Sequence, residues 1–209
     1  MLTPKVPLEL EMPEEEASLL RGSYEKASVI LKYGSGGSTV LAAGMPNKLI
    51  FSVESDPKWA MRLQRYLDAI PSVSSVFVQH VDIGPTGSWG RPIGPDTWPR
   101  FHLYPMSIWA EPFFRHPDVV LIDGRFRTAC LATVAALCKR PVTVLFDDYS
   151  TRPSYHAVEP LLEPCAIIGR MAVFKVQPGL VTRSRLHLVM DLFAQATYHR
   201  RSVRYERPA

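Results

Sequence analysis

The sequence predicts an α/β fold: a doubly wound, mostly parallel β-sheet with helices on both faces and an antiparallel hairpin near its C-terminal end. Two observations lead to this fold class. Short apolar, β-branched runs alternate five times with segments of helical character, which is typical of parallel strands joined by crossover helices. A glycine-rich segment follows the first of these runs directly. The 209 residues suit a single domain, and 46% hydrophobic and 21% charged residues form an ordinary globular composition.

The first half of the chain contributes three strands. Pro13 and the three glutamates after it are typical of a helix start, since proline fits the first turn and carboxylates suit the positive end of the helix dipole. Segment 28–31 is apolar and ends at a glycine turn, as buried parallel strands do. Trp59, Leu63 and Leu67 recur every four residues, which is a helical period. The predicted elements are helices at 13–24, after the glycine turn and at 57–70, and strands at 28–31, 48–54 and 75–81.

Segment 84–117 interrupts the alternation. It contains seven prolines and three tryptophans, and structureless loops of this length are uncommon in compact domains. We therefore expect a covering segment that packs on the sheet, with a short helix near 106–114. The predicted organisation is an N-terminal helical extension at 1–27, followed by one domain at 28–209 that carries this insertion. The remaining predicted elements are strands at 118–123 and 141–148, helices at 128–138, 154–162 and 186–198, and a hairpin formed by 165–168 and 171–176.

Composition narrows the class of protein. Three cysteines, an odd number, without a secretory signal argue against a disulfide framework. No apolar run approaches the roughly 20 residues that a membrane-spanning helix needs, so we expect a cytoplasmic protein without a membrane partner. The net charge of +4 includes an arginine-rich stretch at 199–204. We interpret that stretch as a solvated terminus and do not expect nucleic acid as a partner, although RNA binding is the alternative.

Acidic residues stand at four strand ends: Glu54, Asp82, Asp123, and Asp147 with its neighbour Asp148. The carboxyl ends of parallel strands meet at one edge of the sheet, where ligands bind. Glycines in the turn at 34–37 allow a ligand to approach the backbone closely, and the following helix offers free N–H groups. Glu54 lies 18 residues beyond the second of these glycines and could accept hydrogen bonds from both hydroxyls of a ribose. The alternative is a tight strand-to-helix turn beside a surface acid.

These segments resemble a known family. Residues 29–39 (VILKYGSGGST) resemble the first motif of the class I S-adenosylmethionine (SAM) dependent methyltransferases, and residues 51–56 (FSVESD) resemble their second strand with its ribose-binding acid. The resemblance covers about 28–176. It implies the Rossmann-like methyltransferase fold, SAM as the cofactor and methyl transfer as the reaction. The residues that it implies for cofactor binding are Gly34, Ser35, Gly36, Glu54, Ser55, Asp82, Ile83 and Asp123.

Lys32 departs from this family's pattern. The family usually has an acidic residue two places before the first glycine, where it helps to hold the amino-acid end of SAM. A lysine there could face an acid such as Asp123, or favour a more anionic ligand. The alternative function is therefore a catalytically inactive, methyltransferase-like protein that binds a nucleotide or an acidic metabolite.

A second resemblance concerns the ends of the fourth and fifth strands. Asp123-Gly124 and Phe146-Asp147-Asp148-Tyr149 resemble the metal-dependent O-methyltransferases of the macrocin and catechol types. It implies that Asp123, Asp147 and Asp148 bind Mg²⁺, which would orient a substrate hydroxyl and lower its pKa. The alternative is that Asp148 caps a turn, Asp147 pairs with an arginine and no metal binds.

The catalytic candidates are Asp123 and Asp148, which would hold the nucleophile, and His156, whose ordinary pKa suits a general base. A histidine near a helix start can equally be structural. Three arginines in the same loops could clamp a carboxylate or phosphate of a substrate, or could instead neutralise the aspartates. The expected partner is a small-molecule substrate, which is anionic if the arginines clamp it. The arginines are Arg125, Arg127 and Arg152.

Overall fold

The computed structural model describes residues 9–71 and 73–198. The helices of this part of the chain are α1 Glu14–Lys26, α2 Gly37–Ala43, α3 Pro57–Ala69, α4 Leu103–Ala110, α5 Arg127–Leu137 and α6 Leu186–Phe193. The strands are β1 Val29–Tyr33, β2 Leu49–Glu54, β3 Ser75–His80, β4 Val119–Ile122, β5 Val142–Phe146, β6 Ala166–Ile168 and β7 Met171–Val176.

These strands form one sheet in the order β3-β2-β1-β4-β5-β7-β6. Strands β1 to β5 are parallel, whereas β7 pairs antiparallel with β5 and with β6. The predicted fold class is therefore confirmed, including the antiparallel hairpin. Because β1 pairs with both β2 and β4, the order of the strands reverses at β1, which is where open α/β sheets bind ligands.

The register of the strands brings their carboxyl ends level. Tyr33 at the end of β1 is opposite Val53 of β2 and Ile122 of β4, and Ile122 is opposite Phe146 of β5. The residues that follow each strand consequently emerge at the same edge. These residues are the first glycine of the turn and three of the predicted acids.

Alternate residues of the central strands pack on opposite faces of the sheet. Leu31 and Val144 face α5, which is buried on nearly all sides because its residues are small and apolar. Ile30 and Leu145 face α1, whose Leu20 is fully buried against them. Helix α1 therefore shares the core of the sheet, although the domain boundary at residue 27 stays a prediction.

Prolines explain where predicted helices are shorter or displaced. Helix α4 ends at Ala110 because Glu111 precedes Pro112 and takes an extended conformation, as residues before proline do. The helix predicted at 154–162 is a shorter 3₁₀ helix at Pro153–Val158, and it begins at a proline. The arginine-rich stretch at 199–204 lies outside the described residues. Within them, no helix is long and apolar enough to cross a membrane.

Candidate active site

A cleft of about 760 Å³ opens at the carboxyl edge of the sheet. This volume falls within the roughly 300–1,000 Å³ that is typical of small-molecule sites. Its walls come from the glycine turn, from the loops after β2, β4 and β5, from the 84–117 insertion and from the segment before α1. The lining residues are 9–12, 34–38, Glu54, Asp56, Trp59, 89–91, Tyr104, 123–125, Arg127, Asp147, Asp148, Arg152 and Arg170.

The glycine turn meets the loop after β4 in close contact. Gly34 has a φ of +98°, and a Cβ added to it would lie 2.7 Å from the Cα of Gly124. Both residues must therefore lack side chains if the two loops are to touch at the switch point of the sheet. A Cβ at Gly36, by contrast, would have nothing within 4 Å. The space above Gly36 is open to the cleft.

The Glu54 carboxylate faces this turn. Its Oε2 accepts a hydrogen bond from the Ser35 amide at 3.2 Å, and its Oε1 accepts from the amides of Ser55 at 2.7 Å and Asp56 at 2.9 Å. Burial raises the pKa of Glu54, and the three amide donors oppose that rise. Trp59 also fixes the turn, since its Nε1 donates to the Ser35 carbonyl at 2.9 Å. The turn and Glu54 therefore share one wall of the cleft, as the sequence predicted.

Lys32 is buried beneath the turn and does not line the cleft. Its side chain is almost inaccessible, and its Nζ donates to Thr39 Oγ1 at 2.8 Å and to the Gly34 carbonyl at 3.3 Å. Burial lowers the pKa of Lys32 to about 7, and the nearby charges of Asp123 and Glu54 oppose this shift. Lys32 therefore braces the turn from inside the protein.

Arg127, at the first position of α5, crosses beneath the ends of β4 and β5. Its guanidinium is buried and donates to Asp123 Oδ1 at 3.0 Å, to the Asp147 carbonyl at 2.6 Å and to the Gly124 carbonyl at 3.1 Å. The same group lies 3.3 Å from Asp148 Oδ2. Arg127 thereby joins the two acidic loops into one network.

Two further arginines complete the pairing of the acids after β5. Arg170, in the turn between β6 and β7, donates to both carboxylate oxygens of Asp147 at 2.9 and 3.2 Å, a bidentate arrangement. This pairing lowers the pKa of Asp147 against the effect of its burial. Arg152 lies 2.8 Å from Asp148.

This network does not fit the predicted Mg²⁺ site. Arginine donors occupy oxygens of Asp123, Asp147 and Asp148, and the positive charge that a divalent cation would supply is already present. Among residues 9–71 and 73–198, no group of three His, Cys, Asp or Glu side chains could hold a metal ion. The alternative interpretation of these acids, arginine pairing, agrees with the structure.

Asp123 is the member of the network that the cleft can reach. Its side chain is 36% exposed, compared with 15% for Asp148 and 3% for Asp147. Burial raises the pKa of Asp123 to about 6; Arg127 and Lys32 lower it, and the neighbouring charge of Asp147 raises it. Asp123 thus combines access to the cleft with a pKa close to neutrality.

Solved structures include a protein that is similar to this chain over most of its length. A methyltransferase-like protein from Silicibacter pomeroyi DSS-3 is 47% identical, with a TM-score of 0.84, over 88% of this chain and 96% of that one. This chain belongs to the class I SAM-dependent methyltransferase-like family. Two weaker likenesses are to solved structures of low identity. A methyltransferase from Geobacter sulfurreducens is 8% identical over 81% of each chain, with a TM-score of 0.49. Cofactor-bound Rv0187 from MTB is 18% identical over 84% of this chain and 85% of that one, with a TM-score of 0.48. No protein-family model and no curated protein matches the chain.

Four of the predicted site residues do not line the cleft. Ser55 is buried, where its hydroxyl donates to the Gly90 carbonyl at 2.8 Å. Asp82 accepts from exposed Arg100 at 2.8 Å and from the Gly84 amide at 2.8 Å, and Ile83 is packed in the core. His156 stacks on the Tyr149 ring at 4.7 Å, since the 3₁₀ helix holds it away from the cleft, so the structure does not support a general base at this position.

The structure adds residues that sequence reasoning missed. The segment 9–12 passes over the turn, and a Cβ at Gly37 would lie 2.8 Å from the Glu9 carbonyl carbon. Arg170 comes from the hairpin, and Arg91 comes from the insertion, where the glycines at 87 and 90 were the available signal in the sequence. Three of the four non-glycine residues with positive φ in the described chain lie on loops at the cleft, where backbone strain commonly accompanies function. These three are Trp89, Phe126 and Asp148.

Proposed function

We propose that this protein is a SAM-dependent methyltransferase that binds SAM in the cleft between the glycine turn and Glu54. One observation carries the proposal: the Glu54 carboxylate lies 3.2 Å from the Ser35 amide and faces the open space above Gly36. A carboxylate fixed by three backbone amides is already oriented to accept hydrogen bonds from vicinal ribose hydroxyls, so binding need not reorganise it. The family relationship supports the same ligand.

The remaining walls of the cleft suit the rest of the cofactor. Trp59 and Trp89 offer aromatic surface beside Glu54, against which a flat base can pack. In the family, the amino-acid end of SAM with its ammonium group is held partly by the acid that Lys32 replaces. Because Lys32 is buried and does not line the cleft, it makes no contact that would exclude this group. The interpretation as an inactive binding protein, which depended on Lys32, thereby loses its main support.

We propose a hydroxyl group of a small molecule as the methyl acceptor. When bound, SAM supplies an electrophilic methyl group for direct transfer to the acceptor oxygen. Asp123 then acts as the base, since a hydroxyl nucleophile must lose its proton and a carboxylate with a pKa of about 6 can take it near neutral pH. Arg127 holds this carboxylate in place through Oδ1. Much of the acceleration would come from alignment of the two reactants in the cleft.

Calorimetry with S-adenosylhomocysteine tests the proposal. We expect the wild-type protein to bind it and Glu54→Gln to bind it at least about tenfold more weakly, because the variant loses charge-assisted hydrogen bonds to the ribose. Glu25→Gln is the matched control, since Glu25 is exposed on α1 and does not line the cleft. Absence of binding to the wild type, or equal binding by all three proteins, would contradict the proposal.

A further inference from the structure

Two arginines of the cleft have no anionic partner within the described chain. The side chains of Arg91 and Arg125 both line the cleft, and neither makes a hydrogen bond or an ion pair with residues 9–71 or 73–198. The Nε of Arg91 is buried without any hydrogen-bond partner. The other arginines of the cleft, by contrast, are each paired with an aspartate.

An unpaired, partly buried guanidinium is unfavourable because the charge loses hydration without gaining a partner. Here two such groups lie close enough to interact: burial lowers the pKa of Arg125, and the positive charges of Arg127 and Arg91 lower it further. The nearby acids do not pair with either arginine. Asp123 is bound to Arg127, and Glu54 is bound to backbone amides.

The backbone holds both arginines in place. The Arg91 carbonyl accepts from the Gly87 amide at 2.8 Å, and the preceding residue, Gly90, is tied to Ser55. The Arg125 amide donates to the Tyr104 hydroxyl at 3.4 Å. The backbones of the insertion and of the loop after β4 are therefore fixed beside the cleft that both arginines line.

We propose that Arg91 and Arg125 together bind an oxyanionic group, a carboxylate or a phosphate, on the methyl-accepting substrate. Guanidinium groups suit such ligands because their planar donors match pairs of oxygens. Arg125 follows Asp123 by two residues, which places the anion beside the carboxylate that takes the proton of the hydroxyl. This inference rests on the proposed function, since it assumes that SAM occupies the cleft near Glu54. It defines the substrate as a hydroxylated acid or phosphate.

Calorimetric titrations with inorganic phosphate and with succinate test the inference, each with and without saturating S-adenosylhomocysteine. We expect wild-type protein to bind at least one of these probes, and Arg91→Gln and Arg125→Gln to bind it at least about tenfold more weakly. Arg62→Gln is the control because it removes one exposed arginine of α3, outside the cleft. Lysine variants at 91 and 125 keep the positive charge but lose the planar pair of guanidinium donors. Their affinity for the probe should lie between those of the wild type and the glutamine variants.

The outcomes separate the alternatives. The inference holds if the two glutamine variants lose their binding of the probe while their affinity for S-adenosylhomocysteine stays within about twofold of wild type. It is overturned if that affinity falls instead, because the arginines would then hold the carboxylate of the cofactor. Equal weakening in Arg62→Gln, or no probe binding to the wild type, also overturns it. If S-adenosylhomocysteine fails to bind while phosphate or succinate still does, the proposed function fails and the anion site stands.

Discussion

Replacing Lys32 by methionine removes a buried amino group whose pKa lies far from its ordinary value. In the unfolded chain this group holds its proton up to a pH near 10.5, whereas burial in the folded protein lowers the pKa to about 7. Between these values the unfolded chain binds more protons than the folded protein, so this group makes the free energy of unfolding rise with pH. The contribution is fully present above pH 10.5 and is lost as the pH falls towards 7.

The pKa values set the size of the effect. One pKa unit corresponds to about 1.4 kcal/mol, so the free energy of unfolding of the wild type should gain up to that amount per pH unit relative to Lys32→Met. From pH 7 to 10.5 the difference between the two proteins should change by at most about 5 kcal/mol. Methionine preserves the length of the side chain, so the variant loses the two hydrogen bonds of Nζ without leaving a large cavity.

Urea denaturation at pH 7, 8, 9 and 10 measures the effect, with equal m-values as the check that both proteins unfold in the same way. Lys58→Met is the control, because Lys58 is exposed at the start of α3 and should show no such slope relative to the wild type. Parallel pH profiles for the wild type and Lys32→Met would refute the reasoning. They would mean that the folded protein keeps Lys32 charged through its interaction with Asp123 and Glu54.

Three further predictions follow from the cleft. Gly124→Ala should lower the free energy of unfolding by about 1–3 kcal/mol, because the new Cβ would overlap the Tyr104 hydroxyl and lie 2.6 Å from the Gly34 amide; urea denaturation measures this. Gly22→Ala, where a Cβ meets nothing within 4 Å in a helix, should not destabilise the protein, and a loss there would argue against steric overlap as the cause. Millimolar Mg²⁺ or EDTA should leave the melting temperature and S-adenosylhomocysteine affinity unchanged, since arginines neutralise the strand-end acids; a shift with Mg²⁺ would revive the metal site. His156→Ala should keep methyl transfer within about threefold of wild type, because its ring stacks outside the cleft; a hundredfold loss, as expected for a general base, would show otherwise.

The parts of the molecule that sequence reasoning predicted well are those with local causes. The strands were evident because buried parallel strands consist of short, continuous apolar runs, and the glycine turn stood between such a run and a helix. Glu54 could be placed at the turn because parallel pairing of β1 with β2 brings their ends level. The same logic placed Asp123 and Asp147 at that edge.

Other expectations failed where a few loop dihedrals decide the outcome. Asp82 stands at a strand end like the other acids, yet its carboxylate accepts from the Gly84 amide and from Arg100 and does not line the cleft. His156 was expected near the start of a helix as a candidate base, but it lies within a 3₁₀ helix and its ring stacks on Tyr149. Neither deviation leaves a clear periodic signal in the sequence.

The sequence by itself determined the order of strands and helices, the glycine turn and the edge of the sheet at which the acids gather, since each depends on residues near one another in the chain. Only the tertiary structure decided what neutralises those acids and which arginines remain unpaired. Arg170 reaches Asp147 across 23 residues, and the insertion brings Arg91 to the cleft beside Arg125. Such pairings are set by the distance between side chains in space, which no local pattern of residues encodes.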